Sequence, residues 1–238
     1  MPVPDLSARR REPELMDDPG LEPRAHTHAL RALARVNRAS GTVGRIWSTL
    51  LRAAEARPVA SGPLRVLDVA CGDGEVAVRL AARAQRAGVP LEVHACDRSP
   101  HALNQAREKS AAAGVGLQLH RLDVLQDRLP VGFHLVTATL FLHHLSDDDA
   151  VELLRRLPES GDRLLVQDLR RTRLGYRFAW WGLRVLSSSS VARVDGPLSV
   201  RAGFTMEEAI GLARRAGLDG AQVAPIWPQR FRLDWGRE

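Results

Sequence analysis

The decapeptide Val66–Leu67–Asp68–Val69–Ala70–Cys71–Gly72–Asp73–Gly74–Glu75 runs from a short apolar stretch into a glycine loop and on into an amphipathic segment. That is a buried strand, a tight turn and a helix start in ten residues. Gly72 and Gly74 remove side chains where a ligand would approach backbone N–H groups at a helix N-terminus. A turn that binds nothing is the bland alternative. It is disfavoured because the flanking sequence repeats the strand–helix alternation of a ligand-binding α/β sheet.

Downstream, strands are predicted at Leu64–Val69, Leu91–Ala95, Leu117–Leu122, Phe133–Thr139 and Arg163–Gln167. Helices are predicted at Glu75–Ala87, Pro100–Ala113 and Asp147–Leu157. Such alternation implies an α/β fold with a parallel sheet covered on both faces. The regularity breaks after Asp168. An aromatic-bearing helix follows at Leu174–Leu186, then the serines Ser187–Ser190, then a helix opened by Thr205 with Glu207 and Glu208 in its first turn. Two late strands, Gln222–Ile226 and Arg230–Trp235, flank a turn and read as a hairpin. Upstream, helical spacing covers Ala25–Asn37 and Val43–Ala56, and residues 1–24 lack periodicity. The domain reading is an arm over 1–24, a helical cap over 25–60, and a core over 61–238 with a helical insertion at about 170–203.

The spacing Gly72-x-Gly74-x-x-Ala77 also fits a dinucleotide fingerprint, so the acids must separate the cofactors. Asp68, Asp73 and Glu75 surround the loop, and a pyrophosphate would face three carboxylates there. A cationic sulfur nucleoside, S-adenosylmethionine (SAM), brings an ammonium and a sulfonium and no phosphate. Asp97 ends the second strand, placed for two ribose hydroxyls, and can also cap the helix from Pro100. Arg98 could stack on adenine, and a surface position is nearly as good a reading. Asp123 followed by Val124 suits an adenine pocket. The fourth strand leads through Leu140 to His143–His144, beyond the carboxyl ends of the strands where ligands sit in open α/β sheets. Adjacent residues point differently, so one histidine is expected to act as base, His144 by preference. No Cys or acid cluster keeps zinc-ligand spacing with the pair, so no metal is expected. His26 and His28 could cap the pocket, though surface positions fit them better.

The chain of 238 residues has 34 basic and 28 acidic residues, and Lys109 is its one lysine. The arginines are interleaved with acids, which reads as solvated helix faces. Two cysteines do not make a disulfide framework, no signal peptide is visible, and no apolar stretch is long enough to span a bilayer, so a cytoplasmic protein is expected.

As a set, Asp68-x-Ala70-x-Gly72-x-Gly74, Asp97, Asp123–Val124 and Leu142–His143–His144–Leu145 resemble the class I SAM-dependent methyltransferases, with Ala70 where many members have glycine. Asn37-x-x-Ser40-Gly41-x-x-Gly44-Arg45-x-Trp47 is similar to the segment before the core in ubiquinone/menaquinone C-methyltransferases. The resemblance implies a Rossmann-like, doubly wound seven-stranded sheet with its last strand antiparallel; the N-terminal helices and the Trp180–Trp181 helix of the insertion are expected to form a lid, with plain core packing the alternative for that helix. The resemblance also implies that Asp68, Gly72 and Gly74 hold the methionine portion of SAM, Asp97 the ribose, and Asp123 with Val124 the adenine; Ala70, Arg98 and Leu140 are also expected to bind the cofactor. His134 departs from the pattern, replacing an acid common at the start of the fourth strand. The expected reaction is methyl transfer to a phenolic or hydroxyl oxygen of a small apolar or aromatic acceptor. C-methylation of a quinone or lipid precursor, RNA methylation and NAD-dependent oxidoreduction are the alternatives. The RNA reading lacks an Asn/Asp-Pro-Pro-aromatic motif and a separate RNA-binding module. A lipid or quinone acceptor would bring the protein into peripheral contact with a membrane.

Overall fold

In a computed structural model describing residues 3–17, 20–55 and 62–237, the decisive decapeptide is β1 (Leu64–Val69), a loop, and the start of α3 (Glu75–Ala87). Before it come α1 (Pro23–Ala39) and α2 (Thr42–Glu55). After it follow β2 (Leu91–Asp97), α4 (Pro100–Ala112), β3 (Gln118–Arg121), β4 (Leu135–Thr139), α5 (Asp147–Ser160) and β5 (Arg163–Leu169). The chain closes with α6 (Arg173–Leu186), α7 (Ser190–Ala202), α8 (Met206–Arg215), β6 (Gln222–Ile226) and β7 (Arg230–Gly236).

The sheet order is β3-β2-β1-β4-β5-β7-β6. β1 to β5 run parallel, and β7 is antiparallel to both of its neighbours. The expected seven-stranded sheet with an antiparallel last strand is therefore present. Its order reverses between β1 and β4, which places the topological switch point, and hence the ligand crevice, at the ends of those two strands.

Both faces are covered, as the apolar central strands require. Phe133, Leu153, Leu157, Phe204, Leu212 and Phe231 form the core on the α5–α8 face. Ile46, Trp47 and Leu50 of α2 join Leu80 against Leu135 and Leu165 on the other. Each such side chain contributes roughly 1.5–3 kcal/mol by leaving water. The helix starts follow capping chemistry: Ser99, Ser146 and Thr205 accept backbone N–H groups, and Thr205 with Glu208 forms a capping box.

Three local expectations shift. The serine run leads into a helix not predicted from the sequence: Ser189 accepts the Ala192 N–H and caps α7, which continues through Pro197. α5 likewise runs through Pro158 to Ser160, beyond the predicted end at Leu157. β4 starts at Leu135 and not at Phe133. There the His134 Nδ1 accepts the Arg65 N–H at 2.9 Å while the His134 N–H donates to the Arg65 carbonyl, so the departing residue has a structural job.

α1, α6 and α7 form a lid above the carboxyl end of the sheet. The Asn37–Trp47 segment ties it to the core. Arg230 of β7, 2% exposed, donates to Asn37 Oδ1 at 2.8 Å and to Ser40 Oγ and Thr42 Oγ1 at 3.0 Å. Arg45 donates to the Ser40 and Trp227 carbonyls.

Candidate active site

β1 and β4 end alike: Ala70 has φ +52° and Leu140 φ +55°, both in the left-handed region that non-glycine residues avoid at a cost of about 1–2 kcal/mol. These two turns flank the switch point. Gly72 and Gly74 differ in what they do there. A Cβ built on Gly72 meets nothing within 4 Å, so that backbone borders open space. A Cβ on Gly74 would lie 2.7 Å from the Ala106 Cβ and 3.2 Å from its Cα. Gly74 lacks a side chain so that α4 can pack, a role the sequence reading gave to ligand approach.

The acids are less free than the sequence suggests. Asp68 is 3% exposed, and the Thr137 hydroxyl donates to its Oδ1 at 2.9 Å. Burial, together with the charge of Asp97 and against the Thr137 hydrogen bond, raises its pKa to about 7. Lys109 Nζ lies 2.6 Å from Asp73 Oδ2 and 3.4 Å from Glu75 Oε2. Two of the three carboxylates around the loop are thus already countered, and charge repulsion alone discriminates less between cofactors than the sequence reading assumed. The strand order discriminates better, because the dinucleotide fold has the order 3-2-1-4-5-6 without an inserted antiparallel strand.

Asp97 fixes the loop: its Oδ2 accepts the Gly72 N–H and its Oδ1 the Ser99 N–H, both at 2.9 Å. Each oxygen retains a lone pair. Arg98 is exposed. Asp123 Oδ1 accepts the Leu125 N–H at 2.9 Å, and Val124 is 5% exposed within the main core.

A cavity of about 460 Å³ opens beside Leu140, between the sheet and the lid. Phe178, Trp181, Leu183, Val200 and Trp227 supply apolar walls, and both His143 and His144 border it. The histidines differ sharply. His143 is 4% exposed, with Nδ1 2.7 Å from Asp168 Oδ1, and Asp168 is fully buried. Burial depresses the His143 pKa, but the charge and hydrogen bond of Asp168 outweigh it and hold the imidazole above its ordinary value. The same pairing holds Asp168 below the usual carboxylate range against its own burial. His144 is the more accessible of the two, and loss of water around its ring together with the neighbouring His143 pushes its pKa down. His28 meets Ser188 at 3.1 Å and is absent from the cavity lining, and the His26 side chain lies outside the described residues.

The N-terminal arm supplies site residues that sequence reasoning missed. Arg9 donates to the His143 and Leu145 carbonyls at 3.0 and 2.8 Å, and its guanidinium stacks on Phe204 at 3.8 Å. Glu14 borders the cavity, and its carboxylate and the two histidines offer donor atoms all within 4.8 Å of one another. No local spacing links residue 14 to residue 143, so only the tertiary fold reveals that cluster.

This sheet, crevice and lid are the fold of a SAM-dependent methyltransferase. The family model described as a methyltransferase domain matches residues 66–160. Demethylmenaquinone methyltransferase of Deinococcus radiodurans is 32% identical over 119 residues, 49% of this chain and 48% of the relative, so the match spans about half the length of that curated protein. Among solved structures, the S-adenosylmethionine-dependent methyltransferase SibL in its apo form is 27% identical with a TM-score of 0.56, over 80% of this chain and 55% of that one. An O-methyltransferase family 2 protein from Planctomyces limnophilus, complexed with apigenin, shares the fold at 19% identity and a TM-score of 0.63, over 92% and 63% of the two chains. No helix among the described residues is long and apolar enough to cross a membrane.

Proposed function

We propose that this protein is a SAM-dependent methyltransferase whose acceptor is a small, largely apolar aromatic molecule bearing a phenolic or hydroxyl oxygen. The carrying observation is the Asp168–His143 pair at the wall of an apolar cavity next to the switch-point crevice. The crevice suits the cofactor. Gly72 leaves open space where a side chain would stand, Asp97 has lone pairs for ribose hydroxyls, and buried Asp68 would be compensated by a cationic ligand. Held by these residues, SAM would supply an electrophilic methyl group, its sulfonium becoming a neutral thioether.

The chain's own part is orientation and proton handling. The lid walls exclude water and hold the acceptor, and most of the acceleration comes from alignment. Asp168 anchors His143 Nδ1, which leaves the other ring nitrogen to take the acceptor's proton as its oxygen forms the new bond to carbon. We assign the base to His143 over His144 for that reason.

The likeness to a demethylmenaquinone methyltransferase favours a second reading, transfer to a ring carbon activated by deprotonation of its hydroxyl. Methyl-labelled SAM with a panel of flavonoid and naphthol acceptors tests the proposal, and NMR of the product separates O-methyl from C-methyl. Tight NAD binding by calorimetry without SAM binding would overturn both readings.

A further inference from the structure

The lid carries an exposed apolar stripe, of which Leu174 and Val185 take no part in lining the acceptor cavity. On α6, Leu174, Phe178, Trp181 and Val185 recur at helical spacing along one stripe, and all are exposed, Trp181 at 59% and Val185 at 79%. Trp227, 63% exposed, extends the stripe from the β6–β7 turn through an edge contact with Phe178 at 5.7 Å between ring centroids. Phe178, Trp181 and Trp227 also line the cavity, so the stripe runs into its mouth.

Charge is distributed unevenly around it. The sequences of α1, α6 and α7 hold nine arginines against one acid, Asp195, with Arg38 and Arg201 ion-paired to Glu75 and Glu12 of other segments. That acid is 2% exposed and accepts the Leu15 and Met16 N–H groups. With 34 basic and 28 acidic residues in the whole chain, the rest of the protein is left slightly acidic. Arg173 and Arg177 are exposed on α6 beside the stripe, and α6 carries no acid.

We propose that this face seats the protein on the anionic surface of a lipid membrane, with the cavity mouth toward the bilayer. Aromatic and aliphatic side chains flanked by arginines are the chemistry of interfacial helices, and arginines near anionic headgroups add electrostatic attraction. Self-association through α6 would set like charges against each other, which disfavours a second copy as the occupant. The bearing on catalysis, direct entry of an amphiphilic acceptor from lipid, rests on the acceptor-pocket reading. The docking does not.

The test is flotation of the full chain, without SAM or acceptor, with phosphatidylcholine vesicles lacking or containing phosphatidylglycerol. The expected result is binding at least about tenfold stronger to the anionic vesicles, weakened by salt. A Leu174→Glu/Val185→Glu variant, altered at positions that do not line the cavity, should lose that binding and keep SAM affinity and turnover of a water-soluble acceptor. The proposal is overturned by equal binding to both vesicle types, by undiminished vesicle binding of the variant, or by a dimer in light scattering that the variant dissolves. Binding to single-stranded RNA in place of vesicles, abolished by the same substitutions, would overturn it in favour of a nucleic-acid partner.

Discussion

Asp168 holds His143 by an Oδ1···Nδ1 contact of 2.7 Å, and the two residues come from β5 and from the turn after β4. A histidine whose pKa is raised above 6.5 keeps its proton to higher pH, and it can take the acceptor's proton only once it has lost its own. Methyl transfer should therefore rise with pH through a midpoint above 6.5. Asp168→Asn should move that midpoint down, because burial then acts without the compensating charge. His143→Ala should lower kcat by about 10²–10⁴ with SAM affinity retained, and His144→Ala should have a smaller effect. The reverse ranking of the two alanine variants would transfer the role to His144. In stability, the raised His143 pKa contributes fully below 6.5 and its contribution is lost as pH rises through the folded value.

Asp68 makes cofactor binding pH-dependent. With a folded pKa of about 7, the empty protein holds a proton there that a cationic ligand would displace. SAM affinity should climb with pH by up to about tenfold per unit below 7 and level off above it. Calorimetry in buffers of different ionisation enthalpy should detect the released proton, and Asp68→Asn should flatten the profile. The sign for stability is the opposite: with an unfolded value near 3.8, the empty protein loses stability as pH rises from about 4 to 7.

What the sequence disclosed follows from the range of the interactions involved. β1, α3 and the glycine loop between them were legible because strand patterning and left-handed glycines are local matters. The antiparallel hairpin was legible for the same reason. α7 was hidden because a serine run and Pro197 are ambiguous until packing against α6 decides, and Ser189 caps the helix. Lys109 countering Asp73 and Asp168 holding His143 join residues 36 and 25 positions apart, and no periodicity announces such pairs.

The two loop glycines should separate packing from binding. Gly74→Ala drives a Cβ against Ala106 of α4, 2.7 Å from its Cβ and 3.2 Å from its Cα, and keeps a left-handed φ of +72°, so it should cost about 2–4 kcal/mol and lower the melting temperature with or without ligand. Gly72→Ala, at φ +55° with open space around it, should cost only about 1 kcal/mol in the empty protein. Its main effect should be weaker SAM binding, read by titration. Equal melting temperatures for the two variants would show that Ala106 yields more readily than its backbone position implies.

Arg9 joins the arm to the turn that carries the histidines. Its Nε donates to the Ala202 carbonyl, its other nitrogens reach Asp147 and the carbonyls of His143 and Leu145, and its side chain is 10% exposed. Arg9→Ala would strand those carbonyls in a partly buried setting, at about 1–3 kcal/mol. The turn would lose its brace while the SAM crevice stays intact, so kcat should fall and SAM affinity should hold. Arg9→Lys should restore little, because one ammonium cannot bridge four carbonyl and carboxylate acceptors fixed by a planar fork and also cover the Phe204 ring. Full activity in the alanine variant would mean that Asp168 alone positions His143.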